Sequence, residues 1–207
     1  MTSRDTSKAR TRVPVVMRRL LTHEVRALYS LGLWALRRRQ VPEGNLAVAY
    51  TGPQTAMMYG LLFVSLVETV MLALVIPWPL AHAVLLVVDG YGIVLVLALH
   101  AACVVRPHLV ASDGSLRLRY GALFDLAVPA AAIVSARVER RHLGRGLVAV
   151  DPDGVLDLSV GGQTTVRVEL AEPVAFTRPL GRKGAARVLR FHADDPRMVV
   201  AALDTVR

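Results

Sequence analysis

Cysteine is almost missing from this chain. Its 207 residues include one, Cys103, which excludes an internal disulfide framework and any multi-cysteine metal site. Lysine is nearly as scarce: of 25 basic residues only Lys8 and Lys183 are lysine, and the rest are arginine. With abundant Ala, Val, Leu and Gly, that bias points to a GC-rich bacterial genome. Aromatic residues make up 5%, and no basic strand is interleaved with them, which argues against nucleic acid as a partner. The six histidines, His23, His82, His100, His108, His142 and His192, show no paired metal-ligand spacing. There is no G-x-S-x-G, no phosphate loop and no CxxC. Asp151, Asp153 and Asp157 raise the question of calcium, but a Pro-Asp-Gly turn between two strands accounts for the first two. With no nucleophile–base pair and no metal constellation, the sequence points away from an enzyme and requires neither cofactor nor metal.

Long apolar runs are what it does have. Residues 57–76 and 83–105 are two such runs, joined by Pro77-Trp78-Pro79-Leu80-Ala81-His82. Each matches the ~20 residues that a helix rising ~1.5 Å per residue needs to cross a ~30 Å hydrocarbon core. The prolines stop the first helix, and Trp78 is the residue type that favours the membrane–water boundary. Residues 56–105 therefore predict a transmembrane hairpin. The alternative is a buried helical hairpin in a soluble protein, but runs of this length usually span bilayers. No cleavable signal peptide is expected, because 13–17 is too short for an apolar core and Arg18-Arg19 interrupts it. Arg37, Arg38 and Arg39 precede the first run, Arg106, Arg117 and Arg119 follow the second, and the turn carries no Lys or Arg. The positive-inside rule then puts both termini in the cytoplasm.

Net charge is +9, with the excess mostly ahead of the hairpin. Residues 1–12 are small, polar and basic, and disorder is expected there. Residues 13–55 predict a basic amphipathic helix and a linker. Val13, Val16, Met17, Leu20, Ala27, Leu28, Leu31, Trp34 and Ala35 share one face, with Arg18, Arg19, Arg26 and Arg37 opposite. Glu24 falls on the apolar face and breaks the pattern. Such a helix suits the anionic inner leaflet, or a packed position on protein.

Two acids lie inside the predicted hairpin. Glu68 and Asp89 fall at similar depth, ~10–13 Å below the outer surface at 1.5 Å per residue. Ionised carboxylates are costly there, so they should face protein or water. One reading is a proton or cation relay. The other, favoured, is polar glue across helices, alongside Ser65, Thr69 or Tyr91, within one hairpin or between subunits.

After Arg106-Pro107-His108 the pattern shifts to period two. Strands are expected at 108–111, 116–120, 122–128, 133–138, 147–150, 155–160, 165–170 and 187–192, with turns at 112–115, 151–154 and 161–163. Asp194-Asp195-Pro196 supplies a capped helix start, and a helix over 195–206 carries an apolar stripe. Such a run of short antiparallel strands with a terminal helix suggests a small barrel or sandwich closed by that helix. The stretch 109–138, with "DGSLRLRYG", a strand ending at Pro129 and "AAAIVSARVE", is similar to the bacterial pleckstrin-homology-like (PH-like) domain. The whole arrangement resembles uncharacterised membrane proteins of high-GC Gram-positive bacteria. The resemblance implies an anchored binding or scaffolding module over 106–207 and transfers no catalytic residue.

One basic cluster remains. Arg137, Arg140, Arg141, His142 and Arg145 surround one strand end and loop; Arg178, Arg182, Lys183 and Arg187 surround another. On a shared rim they would offer a basic surface to anionic lipid headgroups or an acidic partner, each charge adding about 1 kcal/mol near a membrane. A merely solvated basic rim is the plainer account. The chain thus predicts a membrane α-helical hairpin plus a cytoplasmic all-β PH-like domain with a C-terminal capping helix, in a bacterial plasma membrane. Its expected partners are the lipid bilayer, anionic headgroups or another membrane protein, with a second copy of itself as a further candidate. The runner-up role is a subunit of a transport or proton-coupled complex using Glu68 and Asp89.

Overall fold

The computed structural model describes residues 3–142, 146–151 and 153–205. A long helix, α1 (Ser3–Ala35), is followed by a short strand, β1 (Leu46–Val48). The hairpin helices are α2 (Gly52–Val75) and α3 (Pro79–Val105), with Pro77 and Pro79 bracketing the break at Trp78. Both are long and apolar enough to cross a membrane, by length and composition. Their large side chains stay uncovered: Leu61, Phe63, Leu66, Leu74, Leu86 and Val87 are all exposed. A helical hairpin buried in a soluble core would hide these residues, so a bilayer accounts for them better than that alternative.

The β domain follows. Its first sheet adds β2 (His108–Val110), β3 (Leu116–Tyr120) and β4 (Phe124–Val128). The second holds β5 (Ile133–His142), β6 (Val148–Val150), β7 (Val155–Leu158), β8 (Gln163–Thr177) and β9 (Lys183–Phe191), and helix α4 (Pro196–Thr205) ends the described chain. The sheet orders are β1-β2-β3-β4 and β5-β8-β9-β7-β6. Between them lie Leu116, Leu118, Leu126 and Val128 from the first sheet and Leu156, Leu158, Val166, Val168, Leu189 and Phe191 from the second. Each such side chain contributes about 1.5–3 kcal/mol on full burial. α4 seats Val199 and Leu203 on this core and packs against β5, β8 and β2. Asp195 caps it, accepting the Met198 N–H at 3.1 Å.

Several expectations are corrected. Residues 46–55 are not only a lead into the membrane: Leu46, Ala47 and Val48 pair antiparallel with Val110, Leu109 and His108. The hairpin is therefore an insertion between the first two strands of the β domain, and that domain begins before it. The strands are not all antiparallel, since β7 runs parallel to β9, Val155 opposite Val188. β8 continues well past Leu170, because Val174 to Thr177 pair with Lys183 to Ala186 at the start of β9 after an irregularity that follows Glu169. β5 runs on through Glu139 to His142 rather than ending at Val138. α1 starts at Ser3, ahead of the periodic stretch and through the segment expected to be disordered; no Gly or Pro interrupts residues 3–13. Val206, the last residue of the predicted apolar stripe, lies outside the described residues.

α1 packs along α3. Small residues make the crossing close: Ala27 and Ser30 of α1, and Ala98, Ala101 and Ala102 of α3, are buried. Glu24, the misfit on the apolar face, accepts a hydrogen bond from the Tyr91 hydroxyl of α3. His23 ties α1 to the β domain, its ring nitrogens 2.9 Å from the Ala122 carbonyl oxygen and 3.2 Å from that of Pro179. α1 thus packs on protein through these residues, while Met17, Leu20, Leu21, Val25 and Tyr29 stay exposed.

Candidate functional site

Arg137, Arg140, Arg141 and His142 are exposed along β5, while Arg145 lies outside the described residues. Acids interleave with these cations. Glu139 holds Arg137 at 3.1 Å and Arg141 at 2.7 Å, with Arg167 and Arg190 at 3.8 and 3.7 Å. Glu169 pairs with Arg167 at 3.0 Å, and Asp157 with Arg190 at 3.7 Å. Burial pulls the Glu139 carboxyl upward, but Arg137, Arg141 and Arg167 outweigh it and hold the group below its ordinary range. Arg137, Arg141, Arg167 and Arg190 thus stand in a charge-compensated ladder rather than on an open basic rim.

The two predicted basic groups do not share a rim. His142 sits opposite Gln163 at one end of β8, whereas Arg178 and Arg182 form the β8–β9 turn at the other. A 15-residue strand separates them, on the order of 45 Å at ~3.3 Å per residue. That turn instead meets α1, where the Arg19 guanidinium lies against Gly181.

The two hairpin acids part company. Asp89 is half-buried in the α2–α3 seam, where its carboxylate accepts from the Thr69 hydroxyl at 3.3 Å; that hydroxyl also faces the Ser65 carbonyl oxygen at 2.9 Å. Glu68 is the neighbour of Thr69 and so lies at the same depth, but it is exposed on the outside of the hairpin.

A different cluster escaped the sequence reading. Where α3 ends, a cleft of about 310 Å³ opens between α1, Arg106 and the β3–β4 hairpin. Four arginines line it, Arg26, Arg106, Arg117 and Arg119, with His23 and Gln40. Asp125 is the acid of the lining, and it is committed to a bidentate pair with Arg117 at 2.7 and 2.6 Å. Gln40 organises two of the others: its side-chain oxygen accepts Arg106 Nε at 3.0 Å, and its main-chain oxygen accepts Arg119 Nη1 at 3.0 Å. Gln40 is itself fixed by its N–H on the Val105 carbonyl at 2.9 Å. Arg119 breaks the in–out alternation of β3, being only 8% exposed. Burial and then Arg117 lower its pKa; burial and then Arg26 do the same to Arg106. Arg26, Arg106 and Arg119 crowd one another and make no ion pair among the described residues, although Asp125 partly offsets the repulsion at Arg106 and Arg119. Their positions, 26, 106 and 119, lie far apart in the chain, so no local motif announced them. The one available signal was that Arg106, Arg117 and Arg119 follow the second apolar run closely.

Three further titratable groups, His108, Asp194 and Asp151, serve the fold. His108 receives the Arg119 N–H at Nδ1, 3.0 Å, and places Nε2 3.2 Å from the His192 carbonyl. Asp194, expected to cap the C-terminal helix, instead accepts the Gly52 N–H at the start of α2, at 3.1 and 3.3 Å. Asp151 accepts the Asp153 N–H within its turn. Among the described residues no group of three or more His, Cys, Asp and Glu is placed to hold a metal ion. Compared with known proteins, the chain matches no family model, no curated protein and no solved structure.

Proposed function

We propose that this chain is an integral protein of the bacterial plasma membrane, with two spans and both termini cytoplasmic, whose work is binding rather than catalysis. Its PH-like β domain would be held at the inner surface and presented to a protein or an anionic lipid partner. One observation carries this reading: the apolar hairpin leaves β1 and returns into β2 of the same sheet. A domain joined at both ends of the insertion cannot swing away on a linker. It stands at fixed height and angle over the foot of the two helices, which suits a module that recognises something at the membrane surface. The arginines at both hairpin feet and their absence from the Trp78 turn support the orientation. An exposed Glu68 on an otherwise apolar face supports a polar neighbour in the bilayer, a second copy or another membrane protein.

The test has two parts. In a Cys103→Ala background, Trp78→Cys should react with a membrane-impermeant maleimide in intact cells, and Arg140→Cys only after lysis. The reverse pattern overturns the orientation, and release of the protein by alkaline carbonate overturns the anchor. Purification from native membranes in mild detergent should then recover a defined oligomer or a reproducible membrane partner. A lone monomer that retains no anionic lipid would overturn the binding role, and a partner with its own polar path would favour the transport reading of Glu68 and Asp89.

A further inference from the structure

We infer that the cleft beneath α3, walled by Arg26, Arg106 and Arg119, is a binding site for a phosphate-bearing anion, and that its occupant is the headgroup of an anionic phospholipid of the adjoining leaflet. The inference rests on the proposed membrane anchoring and names a ligand for it.

Charge comes first. Three guanidiniums converge from α1, the end of α3 and β3, and the acid of the lining is already taken up by Arg117. Asp125 also favours the charged forms of Arg106 and Arg119, but burial and the neighbouring arginines outweigh it, and folding tolerates such under-compensated cations where an anion repays the repulsion. Arg119 is held nine-tenths buried, so its charge is not simply solvated. Preorganisation comes next. Gln40 occupies one N–H of Arg106 and one of Arg119, which fixes both planes and leaves their other donors for a ligand. Fixed guanidinium forks match the oxygens of a phosphate in pairs, which a flexible ammonium does not. Position selects the source. Arg106 is the first residue past α3, so the cleft lies at the level where a span gives way to water and headgroups sit. Its volume of about 310 Å³ admits a headgroup and no folded partner. The wall formed by α1 is pinned by His23 on the Ala122 and Pro179 carbonyls, so the cleft exists before the ligand arrives.

The test uses the full chain purified in a nonionic detergent, with thermal unfolding and native mass spectrometry as readouts. Probes are phosphatidylglycerol, phosphatidylcholine and inorganic phosphate. Phosphatidylglycerol should stay bound and raise the melting temperature where phosphatidylcholine does not. Arg26→Gln and Arg106→Gln should each weaken retention about tenfold, the loss of one charge-assisted contact. Arg26 is exposed on α1, so its variant reads binding without threatening the fold. Arg140→Gln, on the distant compensated sheet, should change nothing. If millimolar inorganic phosphate protects as well as the lipid does, the occupant is a soluble phosphate compound and the headgroup assignment falls. Equal retention of both lipids with no response to phosphate overturns the site. Because detergent removes the question of orientation, failure here is separate from failure of the maleimide test, which reads the anchor alone.

Discussion

Tyr50 stacks on His108 with ring centroids 4.3 Å apart and planes 22° apart. One residue lies just before the hairpin and the other just after it, so a single stacked pair clamps both ends of the insertion. The Tyr50 hydroxyl accepts the Gly121 N–H at 2.8 Å, and His108 meets Phe191 edge-on at 5.3 Å. Tyr50→Phe should cost about 1–3 kcal/mol, by leaving a buried N–H unpaired. Tyr50→Ala should cost about 3–5 kcal/mol, through the cavity it adds. Thermal unfolding in mild detergent measures both; no change for Tyr50→Ala would mean that the clamp does not hold the domain to the hairpin.

The same histidine makes the fold acid-sensitive. Burial drives the His108 pKa down from 6.5 to about 3, partly offset by the His192 carbonyl. Its Nδ1 must remain an acceptor for the Arg119 N–H, so the folded state keeps the ring neutral. The unfolded chain therefore binds one more proton between pH 6.5 and about 3. Stability from this residue is full above pH 6.5 and is lost as pH falls through that window, at up to about 1.4 kcal/mol per pH unit. His192, lowered by burial against the pull of Asp194, adds in the same direction. Unfolding free energy measured from pH 8 to pH 4 should show this slope, and His108→Gln should flatten it while lowering stability at pH 8.

Much of this architecture is legible in the chain, and the exceptions have physical causes. Apolar length alone marks the hairpin, and alternation marks Leu116–Tyr120 to the residue. β1 is hidden because three residues carry no period, and its partner lies on the far side of two long helices. The parallel β7–β9 pairing is hidden for a related reason, since turn chemistry announces only neighbours in sequence. Charge compensation on β5 could have been read: Arg137, Glu139 and Arg141 are spaced by two, so a strand places them together. Treating that stretch as a strand end concealed it. The arginine cleft could be read only in part: Arg106, Arg117 and Arg119 follow the hairpin in sequence, but α1, Gln40 and β3 meet only through the tertiary fold.

That compensation makes Glu139 a sensitive position. Four arginines approach it, two of them, Arg167 and Arg190, well shielded from water. Glu139→Gln removes the counter-charge and leaves the cations facing one another. The expected loss is about 1–3 kcal/mol, the range for hydrogen bonds to charged groups. The variant should also gain affinity for phosphatidylglycerol vesicles in a co-sedimentation assay, and salt should erase that gain. Unchanged vesicle binding would mean that the other acids, Glu169 and Asp157, neutralise the face without it.

The two hairpin acids should separate cleanly by mutation. Asp89 accepts from Thr69 inside the seam, so Asp89→Ala should loosen the helix pair by about 0.6–2 kcal/mol, the usual worth of an interhelical hydrogen bond in a bilayer. Glu68 faces outward, so Glu68→Leu removes a group that costs a lone hairpin energy and gives it nothing within the chain. The monomer should then be as stable or more so. Any assembly that uses the Glu68 carboxylate should come apart, which cross-linking in native membranes before and after the substitution would read. Should Glu68→Leu destabilise the hairpin while Asp89→Ala leaves it intact, the roles are reversed and the seam is not where Asp89 acts. Should both neutral variants, Glu68→Gln and Asp89→Asn, preserve assembly yet abolish proton flux in a purified complex, the acids conduct rather than bind.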